Sequence, residues 1–366
     1  MNNNEEFNMT NIKKLGLTAL AGSLVAVSAQ AGELSVSGHA TATYKTGGSD
    51  NSANTLGHNT TVVFSGSGEL DNGYAVDTFV AYKDDISAIS SSALTLGMGS
   101  MGTIGVSKGG GFNINGAYDE TYPRAYEENS DAGGDSSANY VGNWADDNAI
   151  IYKAPAIEIA GATVNVGAEY SLQAGSGTAA DGGSAARSGT YDTGYGVGVT
   201  VAYEGLTLGA YGAERENRNS TASGEVSDEF NGSWFVNYSM GPVAIGYQET
   251  YVDAGLAEQT NDNTTTAAKT VGTSGGIFDS QSMSIAFNVN DDLSISYSET
   301  EDTYDSQSDL ASTETADVVQ ESDSFQIAYS MGAMSIKAYS TEITNPRYDS
   351  NAATLNVNEI ALGLAF

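Results

Sequence analysis

Apolar side chains recur at every second position along most of this chain, and the pattern is plainest at its end. Ile360, Leu362, Leu364 and Phe366 are apolar, with the small residues Ala361, Gly363 and Ala365 between them. A period of two is the mark of a strand with one greasy face. Similar runs occur at Tyr195, Val197, Val199, Val201 and Tyr203, and at Val243, Ile245 and Tyr247. They recur at Met283, Ile285 and Phe287, at Leu293, Ile295 and Tyr297, and at Phe325, Ile327 and Tyr329. Tight junctions separate such runs at Asp71-Asn72-Gly73, Gly99 to Gly102, Ala160-Gly161, Glu204-Gly205, Met240-Gly241-Pro242, Asn290-Asp291-Asp292 and Met331-Gly332-Ala333. Each junction is a hairpin signal. Seven hairpins make fourteen strands. An opening strand with Leu34, Val36, Ala40, Ala42 and Tyr44 on one face and the strand ending at Phe366 bring the total to sixteen.

Pairing the first strand with the last removes both open edges and closes a barrel. The connections on the other rim, such as 172–192, 254–278 and 304–320, are long and polar. Short turns on one rim and long loops on the other is the construction of an outer-membrane barrel, with the short turns in the periplasm. The expected fold is therefore all-β: a transmembrane antiparallel barrel of sixteen strands, its greasy face toward lipid.

Composition agrees. There are 44 glycines and 21 tyrosines but only 4 prolines, which suits strands and turns better than disorder. No apolar stretch after the first thirty or so residues reaches helix-spanning length, so a helical membrane protein is excluded. Cysteine is absent, and with it disulfide and thiolate chemistry. The formal charge of −33 argues against a nucleic-acid partner, whose binders need basic surface. Near the start, Lys13 and Lys14 precede an apolar run from Leu15 to Val27 and the small residues Ala29-Gln30-Ala31. This reads as a signal peptide over 1–31 cleaved after Ala31, leaving 32–366 as the barrel. Residues 1–8, with Glu5 and Glu6, oppose the basic region; they read as a translated ribosome-binding site, with Met9 the true start.

The opening Gly32-Glu33-Leu34-Ser35-Val36-Ser37-Gly38, the Asp147-Asn148-Ala149-Ile150-Ile151-Tyr152-Lys153-Ala154-Pro155 segment and the closing strand together resemble the trimeric general porins of Gram-negative outer membranes. The alphaproteobacterial branch is the nearest in pattern. The resemblance spans the whole mature chain. It implies a third outer loop folded into the lumen and a homotrimer set in outer-membrane lipid and lipopolysaccharide. It implies that the barrel-assembly machinery reads the terminal Phe366 as an assembly signal. It also implies passive diffusion of ions and small hydrophilic solutes.

By strand count the inward loop would be 109–147. It carries Asp119, Glu120, Glu127, Glu128, Asp131, Asp135, Asp146 and Asp147 against one base, Arg124, and Gly109 to Gly111 would let it bend. Alternation then assigns the wall: with Val36, Val80, Tyr82, Ile150, Tyr152 and Ile336 outward, Lys45, Asp77, Lys83, Lys153 and Lys337 face the lumen. A lysine facing hydrocarbon would cost roughly 2–4 kcal/mol at the midplane. Better-known porins line the wall opposite the loop with clustered arginines. This chain has only Arg124, Arg187, Arg215, Arg218 and Arg347, so the expectation is a weaker transverse field, a more negative eyelet and cation selectivity.

Other chemistry finds little support. Gly109 to Gly116 lacks the Lys-Ser or Lys-Thr and the βαβ context of a phosphate loop. His39 and His58 have no metal-ligand spacing, and no nucleophile elbow precedes a histidine, so neither a metal site nor an enzyme is expected. Glu301, Asp302 and Asp305, or Asp146 and Asp147, offer oxygen ligands for Ca2+ between outer loops, with solvated acid the simpler reading. The alternatives to a diffusion channel are a substrate-specific channel on a similar barrel and a non-conducting barrel serving adhesion.

Overall fold

The computed structural model describes residues 32–48, 55–84, 89–147, 149–172, 174, 191–217, 227–255, 268–272, 274–306 and 317–366. The signal peptide expected over 1–31 with Ala29 and Ala31, the choice between Met1 and Met9, and Arg187 and Arg218 lie outside these residues.

Sixteen antiparallel strands follow one another around a single closed sheet. They are β1 (Leu34–Thr46), β2 (Leu56–Glu69), β3 (Ala75–Lys83), β4 (Ile89–Gly97), β5 (Thr103–Lys108), β6 (Ala149–Lys153 continued by Ile157–Ile159), β7 (Ala162–Ser171) and β8 (Tyr191–Tyr203). The second half comprises β9 (Leu206–Asn217), β10 (Glu229–Met240), β11 (Val243–Asp253), β12 (Ile277–Asn288), β13 (Leu293–Asp305), β14 (Val318–Met331), β15 (Met334–Thr344) and β16 (Leu355–Ala365). Strand β6 is interrupted at Pro155, which has no N–H for the ladder; both of its halves pair with β7. The seven short junctions read from the sequence are the seven turns of one rim. At Ala160-Gly161 both residues have positive φ (52° and 85°), the backbone of a tight turn whose twist matches the strands it joins.

Closure is made by β1 and β16, in register from His39 opposite Ala365 to Thr46 opposite Asn358. Beyond the strand, Phe366 N–H donates to the Gly38 carbonyl (2.9 Å) and Gly38 N–H to the Phe366 carbonyl (2.8 Å). A Cβ on Gly38 would fall 2.8 Å from the Phe366 ring, so the glycine makes room for the terminal aromatic.

The two faces of the wall invert the usual order of a globular protein. Val36, Phe64, Ile104, Tyr195, Ile285, Phe325 and Leu362 are exposed on the outside, an apolar belt suited to hydrocarbon. The inner face of β10 to β15 is hydroxyl and amide: Ser233, Gln248, Ser282, Ser298, Thr300, Gln326 and Thr341 are all buried. A buried polar row needs hydrogen-bond partners. The segment that supplies them is the loop between β5 and β6.

Candidate functional site: the inward loop and the lumen wall

The loop leaves β5 at Lys108 and returns at Ala149, and it folds inside the barrel as a flattened two-tier hairpin. Its outgoing tier runs around the inner wall. Ser233 Oγ and Gln248 Nε2 donate to the Tyr118 carbonyl (3.2 and 2.5 Å), and Asn237 Nδ2 to that of Thr121 (3.1 Å). Ala125 N–H donates to Ser296 Oγ (2.9 Å) and Tyr126 N–H to Gln326 Oε1 (2.7 Å). The returning tier is held by Gln320 and Asp135, which exchange two bonds (3.1 and 2.6 Å). Asp302 then accepts from Ser137 N–H (2.8 Å), and Asn231 accepts from Gly142 N–H (3.0 Å). A single helical turn, α1 (Ser137–Tyr140), sits in this tier. The hydroxyls and amides of the wall are thus docking points for loop backbone.

Glycines make the close approach possible. Alternate residues Gly194, Gly196 and Gly198 of β8 face inward, and a Cβ on Gly198 would meet the Tyr118 ring at 2.7 Å or less. A Cβ on Gly246 would meet Pro123 at 2.3 Å. Gly198→Val is expected to push Tyr118 and its tier off the wall at a cost of about 1–3 kcal/mol. Limited proteolysis of the refolded barrel would show it as faster cleavage within 112–123, whereas an unchanged cleavage rate would mean that the tier does not depend on this contact.

The loop acids form two groups. Asp119, Glu120 and Glu128 gather around Arg124, whose guanidinium pairs with Glu128 (2.6 Å) and donates to the Glu120 carbonyl. Glu120 is buried (1 % exposed) and accepts from Ser130 Oγ (3.1 Å). Asn139 bridges the group when its amide nitrogen is set toward Asp119 (2.5 Å) and Glu128 (3.1 Å) and its oxygen toward Ser130. Burial, with Glu128 close by, pushes the Asp119 carboxyl up to about 7. Burial raises Glu120 and Glu128 too, against the pull of Arg124. The second group lies at the tip. Glu127 is half-buried, and burial with a hydrogen bond to Asp131 pushes its carboxyl up to about 7. Asp131 is exposed to the lumen. Asp135 is partly buried, raised by that burial, and accepts from Val271 N–H (3.0 Å).

The wall residues divide differently from the sequence reading, which sets them across the water from the loop. All five share the inner face by register. Three of them touch the loop: Lys45 Nζ donates to the Asp131 carbonyl (3.0 Å), Lys153 Nζ lies over the Phe112 ring (4.4 Å) and Lys337 Nζ over the Tyr126 ring (5.2 Å). A long flexible ammonium settles where carbonyls and ring faces offer negative potential, and the loop brings both within reach. Asp77 and Lys83 stay on the part of the wall formed by β1 to β4, which the loop leaves largely uncovered. The bases on the uncovered wall are therefore few.

Glu301 and Asp302 point to opposite faces of β13, and Asp302 is fully buried and bonded to Ser137. No group of three or more acids or histidines placed to hold a metal occurs among the described residues.

Sequence reasoning also missed a buried ion pair. Arg215 and Glu229 meet at 2.7 Å on the inner face of β9 and β10, and Tyr140 OH donates to Glu229 (3.1 Å). Arg215 sits in a stretch that reads as loop-adjacent, and only the pairing of β9 with β10, which sets it opposite Glu229, discloses the pair. The Gly194-x-Gly196-x-Gly198 alternation was the signal that could have located the docking wall.

No family model and no curated protein matches the chain. Solved structures do match. Salmonella typhi OmpF, in a complex with daunomycin, is similar over 92% of this chain and 98% of its own, with a TM-score of 0.67 at 12% identity. The trimer form of Vibrio cholerae OmpT, an outer membrane protein, covers 92% of this chain and 100% of its own (TM-score 0.55, 12% identity). A mutant of the Rh. blastica porin covers 91% and 100% (TM-score 0.54, 9% identity). At such low identities the likeness is one of architecture, and it agrees with the closed sixteen-strand wall: the chain has the fold of the outer-membrane general porins.

Proposed function

We propose that the protein is a water-filled channel of the outer membrane through which ions and small hydrophilic solutes diffuse passively, with preference for cations. The observation that carries this reading is the placement of the loop. It lines the inside of the barrel, bonds to the wall by hydroxyls and amides, and leaves the β1 to β4 side as the passage. On that passage Asp131 is exposed and Glu127 half-exposed, whereas three of the five wall groups named above are lysines already engaged by the loop. A cation passing about 4 Å from one carboxylate gains roughly 1 kcal/mol in water, so two or three acids suffice for clear selectivity. The pore performs no chemistry in this reading. A homotrimer, lipopolysaccharide around the belt and recognition of Phe366 by the assembly machinery belong to the same proposal. The Vibrio cholerae OmpT structure in its trimer form supports the first of these by analogy of fold.

Single-channel recording of the refolded mature barrel under a KCl gradient tests it. Steady conductance with a reversal potential favouring K+ is expected, and the preference should shrink as salt screens acids farther than about 8–10 Å. Conductance favouring Cl− would remove the cation assignment, and silence from a folded barrel would favour the adhesion reading.

A further inference from the structure

The lumen wall carries one feature that passive diffusion of inorganic ions does not require. On β3, alternation places Asp77, Phe79 and Ala81 inward, so a phenyl ring stands among the serines and threonines of this side of the wall. Phe79 touches the loop at Gly111 but stays partly exposed. Together with Phe112, the first aromatic of the inward loop, it lines a recess of about 340 Å³ on the side of the barrel that the loop leaves uncovered. Each ring is seated against backbone: a Cβ on Gly111 would fall 2.8 Å from Phe79, and one on Gly105 2.7 Å from Phe112. The charged residues of the recess are Glu33 and Asp77, both acidic and both exposed, with Ser65 and Thr95 beside them. Lys153 lies over the Phe112 ring (4.4 Å) without lining the recess, so one face of that ring is already occupied by an ammonium.

Two phenyl rings and two carboxylates, with no base among them, match one ligand chemistry: a cation with an apolar body. Ring faces attract a cation through their quadrupole and shed water for a hydrocarbon body. Inorganic cations, small and strongly hydrated, gain little from the rings. We propose that this recess is a subsite for small organic amines, which pause there on their way through the pore. The inference rests on the channel reading and adds a substrate class to it.

The test is single-channel recording in KCl with benzylammonium as the probe, compared with ammonium and with uncharged benzyl alcohol, on the wild type, Asp77→Asn and Phe79→Leu. Both variants keep side-chain size nearly constant, and a steady open channel in KCl reports that each has folded. Brief current interruptions are expected with benzylammonium and not with the two controls. Their dwell time should fall about threefold to fivefold in Phe79→Leu and by about fivefold in Asp77→Asn. Interruptions as long in both variants as in the wild type, or equally frequent with benzyl alcohol, would overturn the subsite. Absence of interruptions in a wild type that conducts K+ would overturn it while leaving the channel. Absence of any conductance would remove both.

Discussion

The K+/Cl− permeability ratio is expected to rise about three- to fivefold between about pH 5 and about pH 9, with its midpoint near 7. The cause is the burial of carboxyl groups in the loop, reinforced by their crowding. Glu127, at the tip, shares a hydrogen bond with Asp131 and lies near Glu359, and its carboxyl titrates at about 7. Asp119, facing Glu128, Asp131 and Asp146 with only Arg124 to offset them, titrates at about 7 as well. Below that value they are neutral and contribute little field; above it the eyelet gains negative charge. The same shifts have a consequence for stability. The ordinary values are 3.8 for Asp and 4.5 for Glu, so the packed loop binds protons that the unpacked loop releases. Packing is therefore fully favoured below about 4 and is weakened as pH rises through about 7. Alkaline solution should give a more selective pore with a noisier, looser loop. Reversal potentials measured across this range decide the matter: a ratio that stays flat, or one that falls, would show that the titrating acids do not face the permeating ions.

The largest expected loss of stability follows from the pair Arg215–Glu229. Glu229 is fully buried and Arg215 nearly so (0% and 6% side-chain exposure). The guanidinium also lies 3.4 Å from the centroid of the Tyr191 ring, and Asn231 Nδ2 donates to Glu229 (3.2 Å). Replacing Arg215 by Met leaves the carboxylate buried with no cation, at a cost of about 3–5 kcal/mol. Because Tyr140 bonds to the same carboxylate and stacks near the same guanidinium, the returning tier of the loop should loosen with it. Hydrogen exchange over 138–146 is expected to accelerate, and the midpoint of unfolding in denaturant to fall. The double variant Arg215→Met, Glu229→Gln should recover most of the loss, since it removes the unpaired charge and keeps the amide able to bond to Tyr140. A single variant as stable as the double would mean that water, not Arg215, neutralises Glu229.

The wall was legible in the sequence because alternation is a local property. Ile336 outward and Lys337 inward, or Val76 outward and Asp77 inward, follow from the pleat once one strand is recognised. The seven tight turns carry their own chemistry; Ala160-Gly161 needs positive φ and has the glycine for it. Even the break in β6 is marked by Pro155.

The loop was legible only in outline. Its span and its acids were visible, but not which acids would be buried. Glu120 and Asp131 look alike in the sequence, yet one accepts from Ser130 inside the loop and the other faces the lumen. Nor could the fate of the lysines be read. Lys45, Lys153 and Lys337 are inward by parity, but whether they stand across water or rest on the loop depends on how far the loop travels around the wall.

Residue order by itself determined the strands, their inward and outward faces, the turns and the greasy exterior, since each depends on neighbours one or two positions away. The tertiary structure alone decided the course of the loop, the uncovered side of the lumen, the Arg215–Glu229 pair and the recess that Phe79 and Phe112 share. Those features join residues far apart in the chain, as Tyr126 and Gln326 are at a separation of 200. A segment without periodicity takes its place from the surface that accepts it, here a wall of glycines, hydroxyls and amides that exists only once the barrel has closed.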